Sequence, residues 1–126
     1  MATISDVIQK FLKQPELITE VTAAGDEYYF RYAGHAFSIA RRTTHIEEYG
    51  VYTLYTYPNY RAPLKQLADE SSSNPDSIDM VAYHGSQFQT GREVQNLQRL
   101  YQLIQEKSYN LDAVFKEIVE TEPPLF

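Results

Sequence analysis

The stretch Tyr49-Gly50-Val51-Tyr52-Thr53-Leu54-Tyr55-Thr56-Tyr57-Pro58-Asn59-Tyr60 holds five of the chain's eleven tyrosines and breaks its alternation at a proline. Aromatic and β-branched residues fit a pleated, half-buried surface, and Pro58 cannot donate to a strand ladder. The stretch therefore predicts a strand crossing the middle of a sheet, with aromatics at its far end meeting solvent. Val51, Thr53, Tyr55 and Tyr57 share one side, and Tyr52, Leu54 and Thr56 the other. The pattern alone does not say which side is buried.

Working outward, residues 27–33 and 36–42 read as a hairpin closed by Gly34-His35, because glycine in first place suits a type II′ turn. That turn sets Tyr32 against Phe37, Arg31 against Ser38, Phe30 against Ile39 and Tyr29 against Ala40. One face then carries Tyr32, Phe37, Phe30 and Ile39, and reads as core. The other carries Ala33, Ala36, Arg31, Ser38, Tyr29 and Ala40. Residues 17–21 are expected to add a short edge strand, 24–26 a turn, 43–49 a polar connection, and 78–83 a further strand.

Helices flank the sheet at both ends of the chain. Ile4, Val7, Ile8, Phe11 and Leu12 make one apolar stripe behind a capping Thr3, and Pro15 follows the last turn. Pro63 opens a short helix through Leu64, Leu67 and Ala68, and 70–77 reads as a loop. Thr90-Gly91-Arg92-Glu93 fits a capping box ahead of Val94, Leu97, Leu100, Tyr101, Leu103 and Ile104. Asn110 is placed to cap a last helix carrying Leu111, Val114, Phe115, Ile118 and Val119. The expected fold is a two-layer α+β domain over 1–126, with 120–126 as a flexible tail. Its mainly antiparallel sheet of four or five strands has the N-terminal helix and the C-terminal helical pair on one face.

Composition narrows the function. The chain has 126 residues, a net charge of −6 and no cysteine. Thiol nucleophiles, disulfides and cysteine-held metals are excluded. The acidic balance argues against a nucleic-acid binder, since that needs phosphate-neutralising cations. No apolar run has the length of a membrane span, and the first residues lack a signal-peptide pattern, so the reading is cytoplasmic. His45-Ile46-Glu47 has a His-x-Glu spacing but no Cys-x-x-Cys partner, and Ser86 beside His84 lacks a nucleophile elbow. No phosphate-cradling glycine motif is present. No catalytic residue, metal ligand or cofactor is expected.

The candidate binding residues are Tyr55, Tyr57, Tyr60 and Arg61 at the strand end, with Tyr29 and Arg31 on the small-residue face. Tyrosine and arginine are enriched where proteins meet one another, and a face of small residues lets a second layer approach closely. The same pair of residue types stacks bases and grips phosphates. The preferred function is thus a non-enzymatic protein-interaction module (adaptor, chaperone-like or inhibitor), homodimeric, with a protein partner or a second copy. The alternative is a small-ligand or nucleotide-binding protein using the Tyr/Arg surface.

Two resemblances point the same way. Tyr57-Pro58-Asn59-Tyr60-Arg61-Ala62-Pro63 resembles the two-proline turn of RWD domains, although residues 64–69 read as a helix where that family continues into a strand. The acidic chain and its order of helix, three strands, helix, strand and helix is similar to type III secretion chaperones, which dimerise. Both resemblances imply a binding module without catalysis.

Overall fold

The computed structural model describes residues 2–73, 78–88 and 90–121. Five antiparallel strands, β1 (Ile18–Ala24), β2 (Glu27–Tyr32), β3 (His35–Arg41), β4 (Tyr52–Tyr57) and β5 (Val81–His84), lie side by side in chain order. Around them run α1 (Ile4–Lys13), the single-turn α2 (Ile46–Tyr49), α3 (Leu64–Ser73), α4 (Gly91–Ser108) and α5 (Leu111–Glu120). This is the α+β class the sequence predicts, with its antiparallel sheet, N-terminal helix and C-terminal helical pair.

The principal core lies between the sheet and α1 and α4. Tyr28 and Phe30 on β2, Ile39 on β3 and Leu54 on β4 meet Ile8 and Phe11 of α1 and Leu97, Leu100, Tyr101 and Ile104 of α4. Phe11 sits at the centre, its ring centroid 5.4 Å from Phe30, 5.0 Å from Tyr32 and 5.1 Å from Phe37. Offset and edge-on contacts of this kind add to the burial of the rings themselves. The expected hydroxyl caps open both covering helices, and the box expected at α4 is incomplete, because the Glu93 carboxylate accepts from the Thr90 hydroxyl and not from its amide. The hydroxyl of Thr3 accepts from the Asp6 amide while the Asp6 carboxylate accepts from the Thr3 amide, and the Thr90 hydroxyl accepts from the Glu93 amide.

The hairpin differs from expectation in its turn. Tyr32 pairs with His35 and Phe30 with Phe37, so the turn residues are Ala33 and Gly34, and His35 opens β3. Both turn residues have positive φ, 51° and 81°, the sign pattern of a type I′ rather than a type II′ turn. Moving the turn by one residue moves each strand's partner by two, and a two-residue change restores the original face. Tyr32, Phe30, Phe37 and Ile39 therefore still face the core.

The tyrosine-rich strand begins at Tyr52, because Tyr49 ends α2 inside what reads from sequence as a plain connection. Leu54 pairs with Ile39 and Tyr55 with Ser38, which settles the faces. Tyr52 and Leu54 join the α1/α4 core, while Tyr55 and Tyr57 border the opposite cluster. On that opposite face the structure corrects the expectation of an open surface. α3 covers part of it, packing Leu64, Leu67 and Ala68 on Tyr29, Ala36 and Tyr57. Ala36 is the small residue that permits this approach, so the second layer comes from the chain itself.

The ends of the strands also shift. β1 runs from Ile18 to Ala24 with a bulge between Thr19 and Thr22, where Glu20 has φ 56°. A bulge with a charged residue blunts an edge strand against unwanted pairing. The strand expected over 78–83 is β5, beginning at Val81. α3 continues to Ser73, through residues that read as loop, and 74–77 lie outside the described residues, as does the tail from 122 onward.

Candidate functional site

The six predicted binding residues come together around one region, in different states. Tyr29 and Tyr57 are buried beneath α3, with ring centroids 6.1 Å apart. Arg31 is committed to the fold. Its Nε sits 2.9 Å from the Glu20 carboxylate, and its guanidinium donates to the carbonyls of Gly34, Tyr60 and Ala62. It thereby fastens the hairpin turn to the segment after β4. Tyr55 and Tyr60 are half-buried and Arg61 is exposed. The Tyr60 hydroxyl is buried with no hydrogen-bond partner among the described residues.

Behind Tyr29 and Tyr57 lies a polar cluster that pattern reading does not find. The Ser38 hydroxyl donates to one Glu27 oxygen over 3.0 Å and contacts the Tyr57 hydroxyl at 2.7 Å. The Tyr29 hydroxyl donates to the other Glu27 oxygen over 3.3 Å. Since the Ser38 proton goes to Glu27, the Tyr57 hydroxyl is the donor to Ser38. Burial raises the Glu27 carboxyl above its ordinary range, and the hydrogen bonds from Ser38 and Tyr29 work against that rise. Burial likewise raises the Tyr57 phenol, with the Ser38 bond opposing it. Glu27 and Tyr29 share one face of β2, but Ser38 and Tyr57 come from β3 and β4, and only the β2–β3–β4 register brings them together.

A second set surrounds α2. Arg42 donates from Nε to the Thr53 hydroxyl over 3.2 Å, and its guanidinium carbon stands 4.7 Å from the centre of the Tyr49 ring. Tyr49 in turn lies 4.7 Å from the His84 ring, whose Nδ1 is 3.1 Å from the Thr53 hydroxyl. Burial and the nearby Arg42 charge both lower the His84 pKa. The His45 ring centre lies 6.5 Å from that of Tyr49, and His35 lies at the start of β3. Among the described residues no group of three or more His, Asp or Glu side chains is arranged to hold a metal ion.

The surface that stands out chemically is α5. Asn110 precedes it in the left-handed conformation, φ 54°, and makes no side-chain cap; its contribution is the sharp turn after α4. Every described side chain from residue 113 to 120 is exposed. The described part of the stripe that the sequence lays out for burial is largely exposed. Val114 is 42%, Phe115 57%, Ile118 66% and Val119 83% exposed. At the foot of α5 a groove of about 520 Å³ runs between Pro15–Val21 and the end of α4. Sequence reading finds the stripe and expects it packed; that its described part gains little cover from the other described residues depends on the direction of the turn at Asn110.

No family model matches this chain, and comparison with curated proteins and with solved structures returned no match. No helix among the described residues is long and apolar enough to cross a membrane.

Proposed function

We propose that this chain is a non-enzymatic protein-interaction module of the cytoplasm that self-associates through α5. The observation that carries the reading is the bare apolar stripe of Val114, Phe115, Ile118 and Val119. A ten-residue helix is below the roughly 12–15 residues at which even favourable sequences hold helix alone in water. Its stability must come from packing, and the described residues of its own chain supply almost none. Burying what remains exposed of these four side chains is worth on the order of 4–6 kcal/mol per helix. A contiguous apolar stripe is the usual mark of a surface that meets another protein.

Small-ligand binding at the Tyr/Arg surface ranks second. Tyr29 and Tyr57 lie under α3 and Arg31 is held by Glu20 and three carbonyls, leaving Tyr55, Tyr60 and Arg61 to make the site.

Sedimentation of the intact chain over a wide concentration range tests the first reading. Self-association is expected, and Phe115→Asp and Ile118→Asp are each expected to weaken it by about tenfold or more, the effect of a central apolar contact. Because neither side chain is part of the principal core, the sheet should stay folded, and the loss of helical circular dichroism should not exceed what α5 contributes. A monomer at all concentrations would reject the homodimer.

A further inference from the structure

We infer that the groove between the outer faces of α1 and α4 binds a short, acidic, extended segment of a partner protein. The α5 reading concerns a different surface, and this one stands without it.

α4 turns Leu97, Leu100, Tyr101 and Ile104 to the sheet, which leaves Arg92, Asn96 and Arg99 in line beside α1. α1 contributes Leu12 and Lys13, and a groove of about 590 Å³ runs between the two helices. Of its nine lining residues three are cations, five are amides and none is a carboxylate. The chain as a whole has 17 Asp and Glu against 11 Lys and Arg, so the groove is locally opposite in sign to the molecule.

The acids that these helices carry are engaged elsewhere. Asp6 accepts from the Thr3 amide, and Glu93 accepts from the Ser5 and Thr90 hydroxyls. Glu106 lies a turn beyond Gln102, at the groove beside β1. Among the described residues Lys13, Arg92 and Arg99 make no ion pair, and none of the five amides is hydrogen-bonded to another side chain.

That charge identifies the occupant. A chain of net charge −6 repels an acidic partner over most of its surface and steers it to a basic groove. Arginine takes a carboxylate through paired N–H donors, and each Gln or Asn amide offers a donor and an acceptor to a peptide backbone. Arg92 to Gln102 covers about 15 Å of helix, the length of four or five extended residues. Arg92 and Arg99 stand about 10 Å apart along it, within reach of one short acidic run. Half-buried Leu12 gives the side-chain stems an apolar contact. Nucleic acid fits less well. Three cations neutralise few phosphates on so acidic a chain, and no aromatic ring lines the groove for a base to stack on.

The probe is rhodamine-labelled hexaglutamate, titrated with the intact chain by fluorescence anisotropy at low salt, where surface charges are least screened. Saturable binding is expected, weakened about tenfold or more in Arg92→Glu/Arg99→Glu. Arg41→Glu/Lys65→Glu makes the same change of net charge at residues that do not line the groove, and should shift binding by less than about twofold. All four side chains are exposed, so circular dichroism should match across the three proteins. Equal weakening in the two variants would overturn the groove, as would the absence of saturable binding at millimolar protein. Tighter binding of an oligothymidylate of equal length through the same arginines would overturn the peptide in favour of nucleic acid. A fall in self-association in Arg92→Glu/Arg99→Glu would overturn it in favour of a second copy. A chain that stays monomeric, which rejects the α5 homodimer, leaves the peptide titration unaffected.

Discussion

Gly50→Ala is expected to destabilise this protein by about 3 kcal/mol or more, read as a fall in the urea unfolding midpoint. Gly50 has φ 81° and ψ 177°, a region that side-chain-bearing residues essentially do not occupy. Strain there is on the order of 1–3 kcal/mol before any contact is counted. The contact is severe, because a Cβ at this position would lie 2.9 Å from the Ser86 amide nitrogen and 3.1 Å from two backbone atoms of Gly85. Backbone on the opposing side cannot swing away as a side chain can. Gly50 ends α2 and lets it lie flat on the 3-10 turn Gly85–Gln87 that follows β5. Arg42, Tyr49 and His84 are stacked across that seam. Loss of the Tyr49–His84 contact should therefore accompany the loss of stability, visible as a change in the His84 ring shifts by NMR.

Glu27→Ala should cost about 2–3 kcal/mol, because it strips acceptors from two buried hydroxyls at once. Ser38 and Tyr29 donate to the two oxygens of Glu27, and Tyr57 donates to Ser38 behind them. Ser38, Tyr29 and Tyr57 are all buried, so the hydroxyls that lose Glu27 must find new acceptors within the space that the carboxylate leaves. Glu27→Gln separates charge from hydrogen bonding. It keeps a carbonyl oxygen to accept while removing the charge whose burial raises the carboxyl's pKa.

The sign of the pH effect follows from that rise. Between the ordinary value of 4.5 and the raised folded value, the folded state binds the Glu27 proton more tightly than the unfolded state does. This group's contribution to stability therefore increases as pH falls through the folded pKa, and is complete below the unfolded one. Above the folded pKa the penalty of the buried charge is fully present. In Glu27→Gln the corresponding component of the pH dependence should vanish, leaving the gradual slope from exposed carboxylates. Equal slopes for the two proteins in that window would place Glu27 in a solvated setting.

What the sequence makes legible here is periodicity, and what it hides is register and direction. The stripes of α1 and α4 and the alternation of Tyr28 to Tyr32 and Ala36 to Ala40 announce elements and faces directly. The face assignment even survives a misplaced turn, since a two-residue change in partner preserves the side of the sheet. Docking is another matter. Leu64, Leu67 and Ala68 mark a helix, but nothing local says that it returns across Ala36 to cover Tyr29 and Tyr57. The Glu27–Ser38–Tyr57 cluster depends on three strands lying in one register, so no spacing in the chain reveals it. Tyr57, expected at the surface because Pro58 follows, is buried by that same returning helix. The α5 stripe has the same periodicity as that of α1; only the turn at Asn110 makes one core and the other surface.

Amide hydrogen exchange across residues 113–120, measured as a function of protein concentration, tests the central claim most directly. An α5 that packs on a second copy should gain protection as concentration rises, and should lose it again in Ile118→Asp. The amides of Phe30 and Leu54 in the sheet should stay protected throughout as an internal reference. Exchange of α5 at the unprotected rate at every concentration would contradict the account.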